Sequence, residues 1–252
     1  MQTNGVDGFI YEMLPVAESI VSTVVGVMLP LGKNSMADEA SAKATFLILD
    51  IFKAKTTRQV VRRQLGEILI SLKYEAPPDQ SGRITDLKSN KRIELVIDTA
   101  MCLAFGYMQW KQRQVRSILD AFPVQEFYRA YPRKDSRNWP ERWKAAGGLF
   151  FPGKSFYPEG RMIALNDDPI WEAISAFGLP FIPYDFLSGM DIRGVKRDEA
   201  VQLGLIDWKQ QVKPTTLPCL DDLKRKLATK LHRQIIDFET YEFQNECEED
   251  FE

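Results

Sequence analysis

The hydrophobic pattern of this chain changes its period at Phe122-Pro123. Before that dipeptide, apolar residues recur every three or four positions, the repeat of a helix with one buried face. After it, tryptophan, proline and glycine crowd between short apolar runs, as in strands joined by turns. A chain carrying both textures is neither a pure helical bundle nor a pure sandwich. The pattern predicts an α+β fold, predominantly helical, with long N-terminal helices followed by a compact Trp/Pro-rich core with short strands. Its 252 residues suffice for one large domain or two small ones.

The helical part divides further. Phe9 to Leu31 is apolar but holds Glu12, Pro15 and Glu18, and its uninterrupted part, Ser19 to Leu29, is too short to span a bilayer. Met1 to Gly8 carries Asp7 and no basic residue, so a signal peptide is not expected. Met36 to Ile51 reads as a helix capped by Ser35, with Asp38 and Glu39 in its first turn. Thr57 to Lys73 places Val60, Val61, Leu65, Ile68, Leu69 and Leu72 on one helical face. Ala76 to Gly82, with two prolines and a glycine, then breaks the chain. Asp86 to Leu119 resumes the helical stripe through Ile93, Val96, Ile97, Ala100, Leu103 and Ala104.

Beyond Pro123, Glu126 to Tyr131 and Arg161 to Leu165 read as strands, and Arg197 to Leu203 as a short helix closed by Gly204. Leu220 to Tyr241 is a last amphipathic helix. From Asp237 onward there are eight acids and no Lys or Arg, which leaves 33 basic against 27 acidic residues before it. That asymmetry fits a solvated end, or a tail that docks on a basic surface. The expected division is a helical N-terminal region 1–75, a linker 76–85, an α+β core 86–206, and a C-terminal helix with acidic tail 207–252.

Catalytic signatures are sparse. One histidine, His232, and three scattered cysteines, Cys102, Cys219 and Cys247, cannot assemble a Cys/His zinc site, and they fit reduced thiols in a cytoplasm. Gly26 to Lys33 has five residues between its glycines and Asn34 after its lysine, so it is no phosphate loop. Asp167, Asp168, Asp185 and Asp191 have the oxygens for a hard cation, but Asp168-Pro169 reads as a helix start. Glu246-Cys247-Glu248 has the Glu-x-Glu spacing of some ADP-ribosyl transfer sites, inside an acidic run where such spacing arises by chance. No metal, cofactor or catalytic residue is assigned.

Two basic patches are candidate contacts with nucleic acid or a partner. Lys53, Lys55, Arg58, Arg62 and Arg63 form a run without an acid. Lys111 to Lys144 holds nine basic residues against four acidic, Arg129 and Arg133 among them, interleaved with Phe122, Phe127, Tyr128, Tyr131, Trp139 and Trp143. Arginine beside aromatic rings can neutralise phosphate and stack on bases. Surface charges flanking core aromatics produce the same string.

The stretch from Arg92 to Leu205 resembles the Mu F-like minor head proteins of tailed phages and prophages. The likeness is carried by RIELVIDTAMCLAFGYMQWKQRQ, by LDAFPVQEFYRAYPRKDSRNWPERWKAAGG and above all by RMIALNDDPIWEAISAFGLPFIPYDFLSGMDIRGVKRDEAVQLGL. Its elements are Asp168-Pro169-Ile170-Trp171, the double-proline turn Pro180 to Pro183, and Tyr184 with Phe186. Ser188-Gly189-Met190, the strand Ile192 to Val195 and the helix start Arg197 to Ala200, with Glu199, complete it. Where many relatives carry cysteines, this chain has Ser188-Gly189-Met190. A metal or disulfide staple is therefore not expected, and Trp139, Trp143, Trp171 and Phe186 are expected to hold the core by packing.

The resemblance implies a structural, non-enzymatic virion protein acting in head assembly or DNA packaging. Its implied partners are the portal and/or major capsid protein, with packaged DNA as a further candidate and no membrane; self-association is compatible with it. Its implied location is the host cytoplasm during assembly and then the virion head. An enzyme of toxin type (ADP-ribosyl transfer or nuclease) and a DNA-binding module stay open as alternatives.

Overall fold

A computed structural model describes residues 5–133, 137–217 and 219–249, with the backbone path alone for 5–12 and 243–249. The contacts within the chain gather into two units. The first comprises Met1–Phe105 and Leu220–Glu252, the second Gly106–Cys219. The fold is mixed α+β and predominantly helical, with one small antiparallel sheet. This division falls elsewhere than the composition break: residues 76–85, expected as a linker, lie inside the first unit. Hydrogen bonds explain why. The Asp86 carboxylate accepts from Gly82 N at 2.8 Å, and the Tyr74 hydroxyl accepts from Leu87 N at 3.1 Å, so the proline-rich stretch is a pinned connection.

In the first unit, α1 (Gly5–Met28) packs on α2 (Ser35–Phe52) and on α9 (Leu220–Glu249), and α2 packs on α3 (Arg58–Ser71). α4 (Asn90–Arg113) belongs to this unit as far as Phe105. The cap of α2 is Asn34 rather than Ser35: the Asn34 side chain accepts from Ala37 N at 2.9 Å, and Ser35 is the first helical residue. Thr57 caps α3 by accepting from Val60 N. α3 buries Val61, Leu65, Ile68 and Leu69, while Val60 is exposed.

α9 runs eight residues beyond the expected end, through Glu249, so the acidic stretch continues a helix. Near its middle sits a polar link. The buried Arg92 of α4 donates from Nε and Nη2 to Met28 O, at 3.0 and 2.7 Å, and pairs with Glu239 of α9. The last turn of α1 has carbonyls without helical partners, and a guanidinium is the side chain suited to fill that need. Burial pulls the Arg92 pKa down, and the Glu239 carboxylate opposes the pull.

The second unit takes the rest of α4, then α5 (Arg116–Ala121), β1 (Val124–Arg129), α6 (Trp139–Ala145), β2 (Phe150–Phe151), β3 (Arg161–Leu165), α7 (Ile170–Ala173), β4 (Met190–Val195) and α8 (Arg197–Gln202). The helix expected over Asp86 to Leu119 is thus two, because Val115 is extended between α4 and α5. The strand order is β2-β3-β1-β4, antiparallel throughout. β1 begins two residues earlier than expected, since Val124 pairs with both Leu165 and Val195. It also ends earlier. Ala130 N and Tyr131 N turn away to the single acceptor Gly189 O.

With β1 central, alternation sends its side chains into two layers. Phe127 joins Trp139, Trp143, Trp171 and Tyr184 in the larger core. Val124 joins Ile163, Val195, Ala200 and Ile206 in the smaller one.

Candidate functional site

The aromatics that carry the family resemblance are structural. Trp139, Trp143, Trp171 and Phe186 are all buried. Phe127 meets Trp139 edge to face at 5.1 Å, and Trp143 lies 5.6 Å from Trp171. Two indole N–H groups are used inside: Trp143 donates to Leu149 O at 2.9 Å and Trp171 to Leu165 O at 2.6 Å. Phe186 packs edge to face on Phe177.

Asp168 accepts from Ile170 N at 2.8 Å, so it starts α7 together with Pro169. The Ile182–Pro183 peptide is cis, and its Ile182 carbonyl lies against Gly106. Arg197 holds the end of α5 and the stretch after α8, donating to Asp120 O at 2.6 Å and Gln210 O at 2.8 Å. Glu199 accepts from Arg161 Nη1 at 2.6 Å. These residues are brought together as framework.

The four aspartates weighed for a cation are dispersed. Asp167 accepts from Lys213 N, Asp185 pairs with Arg142 at 3.0 Å, and Asp191 accepts from Ile192 N. Among the described residues there is no group of three His, Cys, Asp or Glu placed to hold a metal. His232 is exposed on α9. The side chains of Glu246 and Glu248 lie outside the described residues.

The two basic patches fare differently. Arg58 pairs with Asp98, Arg62 with Glu94 at 3.2 Å, and Arg63 with Glu67 at 3.6 Å. A groove of about 410 Å³ beside α3 is lined by Arg62, Arg63, Lys88 and Asn90, yet two of its three cations already face carboxylates. Lys53 and Lys55 are exposed beyond the end of α2. The three arginines of the run are compensated in space, by acids from their own helix and from α4.

Arg129 and Arg133 are not compensated in this way. They converge on Gly189, whose φ of +64° only glycine adopts without strain. A Cβ placed there would lie 2.7 Å from Tyr131 O and 2.9 Å from both Arg129 Nη1 and Arg133 Cγ. The Arg129 guanidinium donates to Ser188 O and to the Tyr157 hydroxyl, each at 2.9 Å, and stands 5.7 Å from the Phe156 ring centroid. The Ser188 hydroxyl accepts from Met190 N at 3.3 Å, closing the turn that opens β4. Among the described residues, neither Arg129 nor Arg133 pairs with a carboxylate. Burial and the charge of Glu159 raise the Tyr157 pKa, and the hydrogen bond from Arg129 lowers it.

Beside these charges stand two rings that the core does not take, Tyr131 at 66% and Phe156 at 68% exposure. No protein-family model, curated protein or solved structure matches the chain. The site therefore stands on its own geometry: a glycine turn, a hydrogen-bonded guanidinium, a second arginine and two exposed rings.

Sequence reasoning reached Arg129, Arg133 and Gly189, and it named Tyr131 among the aromatics interleaved with the second basic patch, with base stacking and core packing both open. It missed Phe156, which comes from a loop more than 20 residues downstream in sequence. The sequence carried no signal for it, since the same Gly-Lys-Ser-Phe-Tyr-Pro stretch exposes Phe156 and buries Tyr157.

Proposed function

We propose that this chain is a structural minor head protein of a tailed phage or prophage, acting in capsid assembly or DNA packaging through contacts with portal or capsid proteins. One observation carries the reading: from Gly106 to Leu205 the segments in which the sequence resembles that family fold as consecutive parts of one unit, each with a framework task, while Arg92 to Phe105 belong to the other unit. Asp168 starts α7, Trp171 and Phe186 fill the core, Ser188 to Met190 turn into β4, and Arg197 ties α8 to the end of α5. A likeness carried by residues that build a scaffold is one that a shared scaffold would leave.

Docking through the helical part is supported by Met36 and Phe46 on α2 and Ile70 on α3, all large, apolar and more than half exposed. No helix of the described residues is long and apolar enough to cross a membrane.

The test is quantitative mass spectrometry of purified particles against the major capsid protein. A low, fixed copy number is expected, and complete absence from heads at every assembly stage would end the proposal. Because α1 packs on α9, removing the N-terminal helices would strip a buried face, so docking is tested with Met36→Glu and Phe46→Glu. Unchanged incorporation of the doubly substituted protein would remove the docking half.

A further inference from the structure

We infer that the Gly189 end of the sheet is a binding site for single-stranded nucleic acid. Unpaired bases stack there on Tyr131 and Phe156, while Arg129 and Arg133 meet the phosphate chain. The inference rests on this patch alone and not on the head-protein reading, so either can fail without the other.

Three features point to this ligand. First, the rings are exposed although the same unit buries Phe127, Trp139, Trp143 and Trp171 in its core. An exposed ring costs solvation that a core position would avoid, and a base supplies the flat apolar face that covers it. Second, Arg129 and Arg133 lack carboxylate partners among the described residues, in contrast to Arg58, Arg62 and Arg63. A polyanion supplies the missing charge and releases its own counterions on doing so. Third, Arg129 is held in place by Ser188 O and the Tyr157 hydroxyl, so little ordering remains to be done when a ligand arrives.

The same hydrogen bonds argue against a phosphopeptide, whose dianion wants a guanidinium fork that is free for a bidentate grip. A duplex is disfavoured because its bases are already stacked on one another and offer no face to the rings. The shared chemistry of single-stranded DNA and RNA, a phosphate chain with unpaired base faces, is what the site reads.

The experiment is fluorescence anisotropy on the full chain with labelled oligo(dT) and oligo(rU) of about 15 nucleotides, and with a duplex of the same length. Binding of either single strand, tighter than that of the duplex and weakening steeply with salt, is expected. Tyr131→Ala and Phe156→Ala should each cost about tenfold in affinity, the scale of one lost stacking contact. Tyr131→Phe should bind as the parent does, since the ring and not the hydroxyl is used. Arg133→Ala should weaken binding and flatten its salt dependence. Both rings are on the surface, so an unchanged melting temperature will show that the alanine variants are folded. Equal or tighter binding of the duplex, undetectable binding of both single strands at low salt, or full affinity in the Tyr131→Ala, Phe156→Ala double variant would each overturn the proposal.

Discussion

Glu126 and Arg161 form a buried ion pair on the central strands of the sheet, Arg161 donating to Glu126 Oε2 from Nη2 at 2.6 Å and from Nε at 3.1 Å. β1 and β3 place the two on the same layer, and β4 brings Arg193 opposite Glu126, with Nη2 at 2.9 Å from Oε1. The carboxylate is thus held from both neighbouring strands, and Arg161 passes on to Glu199 of α8. The Glu126 bond is the first cause of the raised Arg161 pKa. A charge in the middle strand of a sheet would be costly alone. Here it locks register, because a slip of one residue would turn Glu126 into the layer of Phe127.

The two arginines are expected to differ in worth. The Glu126 side chain is 3% exposed, while that of Arg193 is 52% exposed. Breaking the buried half by Arg161→Ala should cost about 3 kcal/mol, since it leaves the buried Glu126 carboxylate with only the half-exposed Arg193. Arg193→Ala should cost about 1 kcal/mol or less, its charge being well solvated already. Urea unfolding of the three proteins measures both values, and equal losses would contradict the assignment of the burial.

Gly106 lies inside α4, where alanine would ordinarily favour the helix by about 1 kcal/mol. A Cβ at this position would overlap the Ile182 carbonyl, which is backbone and cannot swing aside. The clash should win. We expect Gly106→Ala to destabilise the protein by about 1–3 kcal/mol, on the scale of overpacked interiors. Gly66→Ala, in α3 with open space around it, serves as the comparison and should raise stability slightly. A melting-temperature gain in both variants would show that the close approach is not maintained.

Much of this fold was legible before the structure because its signals are local. The three N-terminal helices, the strand Arg161–Leu165 and the stop at Gly204 are written in periodicity and punctuation over a few residues. What was not legible depends on distance in sequence. The start of β1 at Val124 is set by Leu165 and Val195, and the neutralisation of Arg58 and Arg62 by Asp98 and Glu94 of another helix. Residues 76–85 look like a linker in composition, and only the grip of Asp86 and Tyr74 makes them part of a unit. The Gly189 site shows both cases: its glycine and arginines stand out in the string, while Phe156 joins them only through the fold.

Tyr184 gives a prediction in alkaline solution. Its hydroxyl is buried and has no hydrogen-bond partner among the described residues. Burial raises its pKa well above the ordinary tyrosine value of 10.0, with Asp191 adding to the rise and Arg113 opposing it. Folding therefore favours the protonated phenol. This contribution is fully present below pH 10.0 and is lost as pH rises from there toward the folded value. Tyr184→Phe should be neutral or stabilising by about 1 kcal/mol near pH 7, because it removes an unsatisfied group and keeps the ring. It should also lose less stability above pH 10.0 than the parent, as urea unfolding across that range would show. A clear destabilisation at neutral pH would mean that the hydroxyl has a partner.

Gly189 and Gly147 both have positive φ, +64° and +86°, yet replacing them should have different consequences. At Gly147 a Cβ would meet open space, so Gly147→Ala carries backbone strain alone, about 1 kcal/mol. At Gly189 the same strain is joined by contact with the Tyr131 carbonyl, Arg129 Nη1 and Arg133 Cγ. The arginine atoms can move, but the Tyr131 carbonyl belongs to the backbone that leaves β1, where Gly189 O also receives Ala130 N and Tyr131 N. Relief of the clash must therefore open those two hydrogen bonds. We expect Gly189→Ala to cost about 2–3 kcal/mol in urea unfolding. Hydrogen exchange at the Ala130 and Tyr131 amides should quicken in that variant and stay unchanged in Gly147→Ala. Equal exchange in the two would show that the turn absorbs a side chain without moving Tyr131.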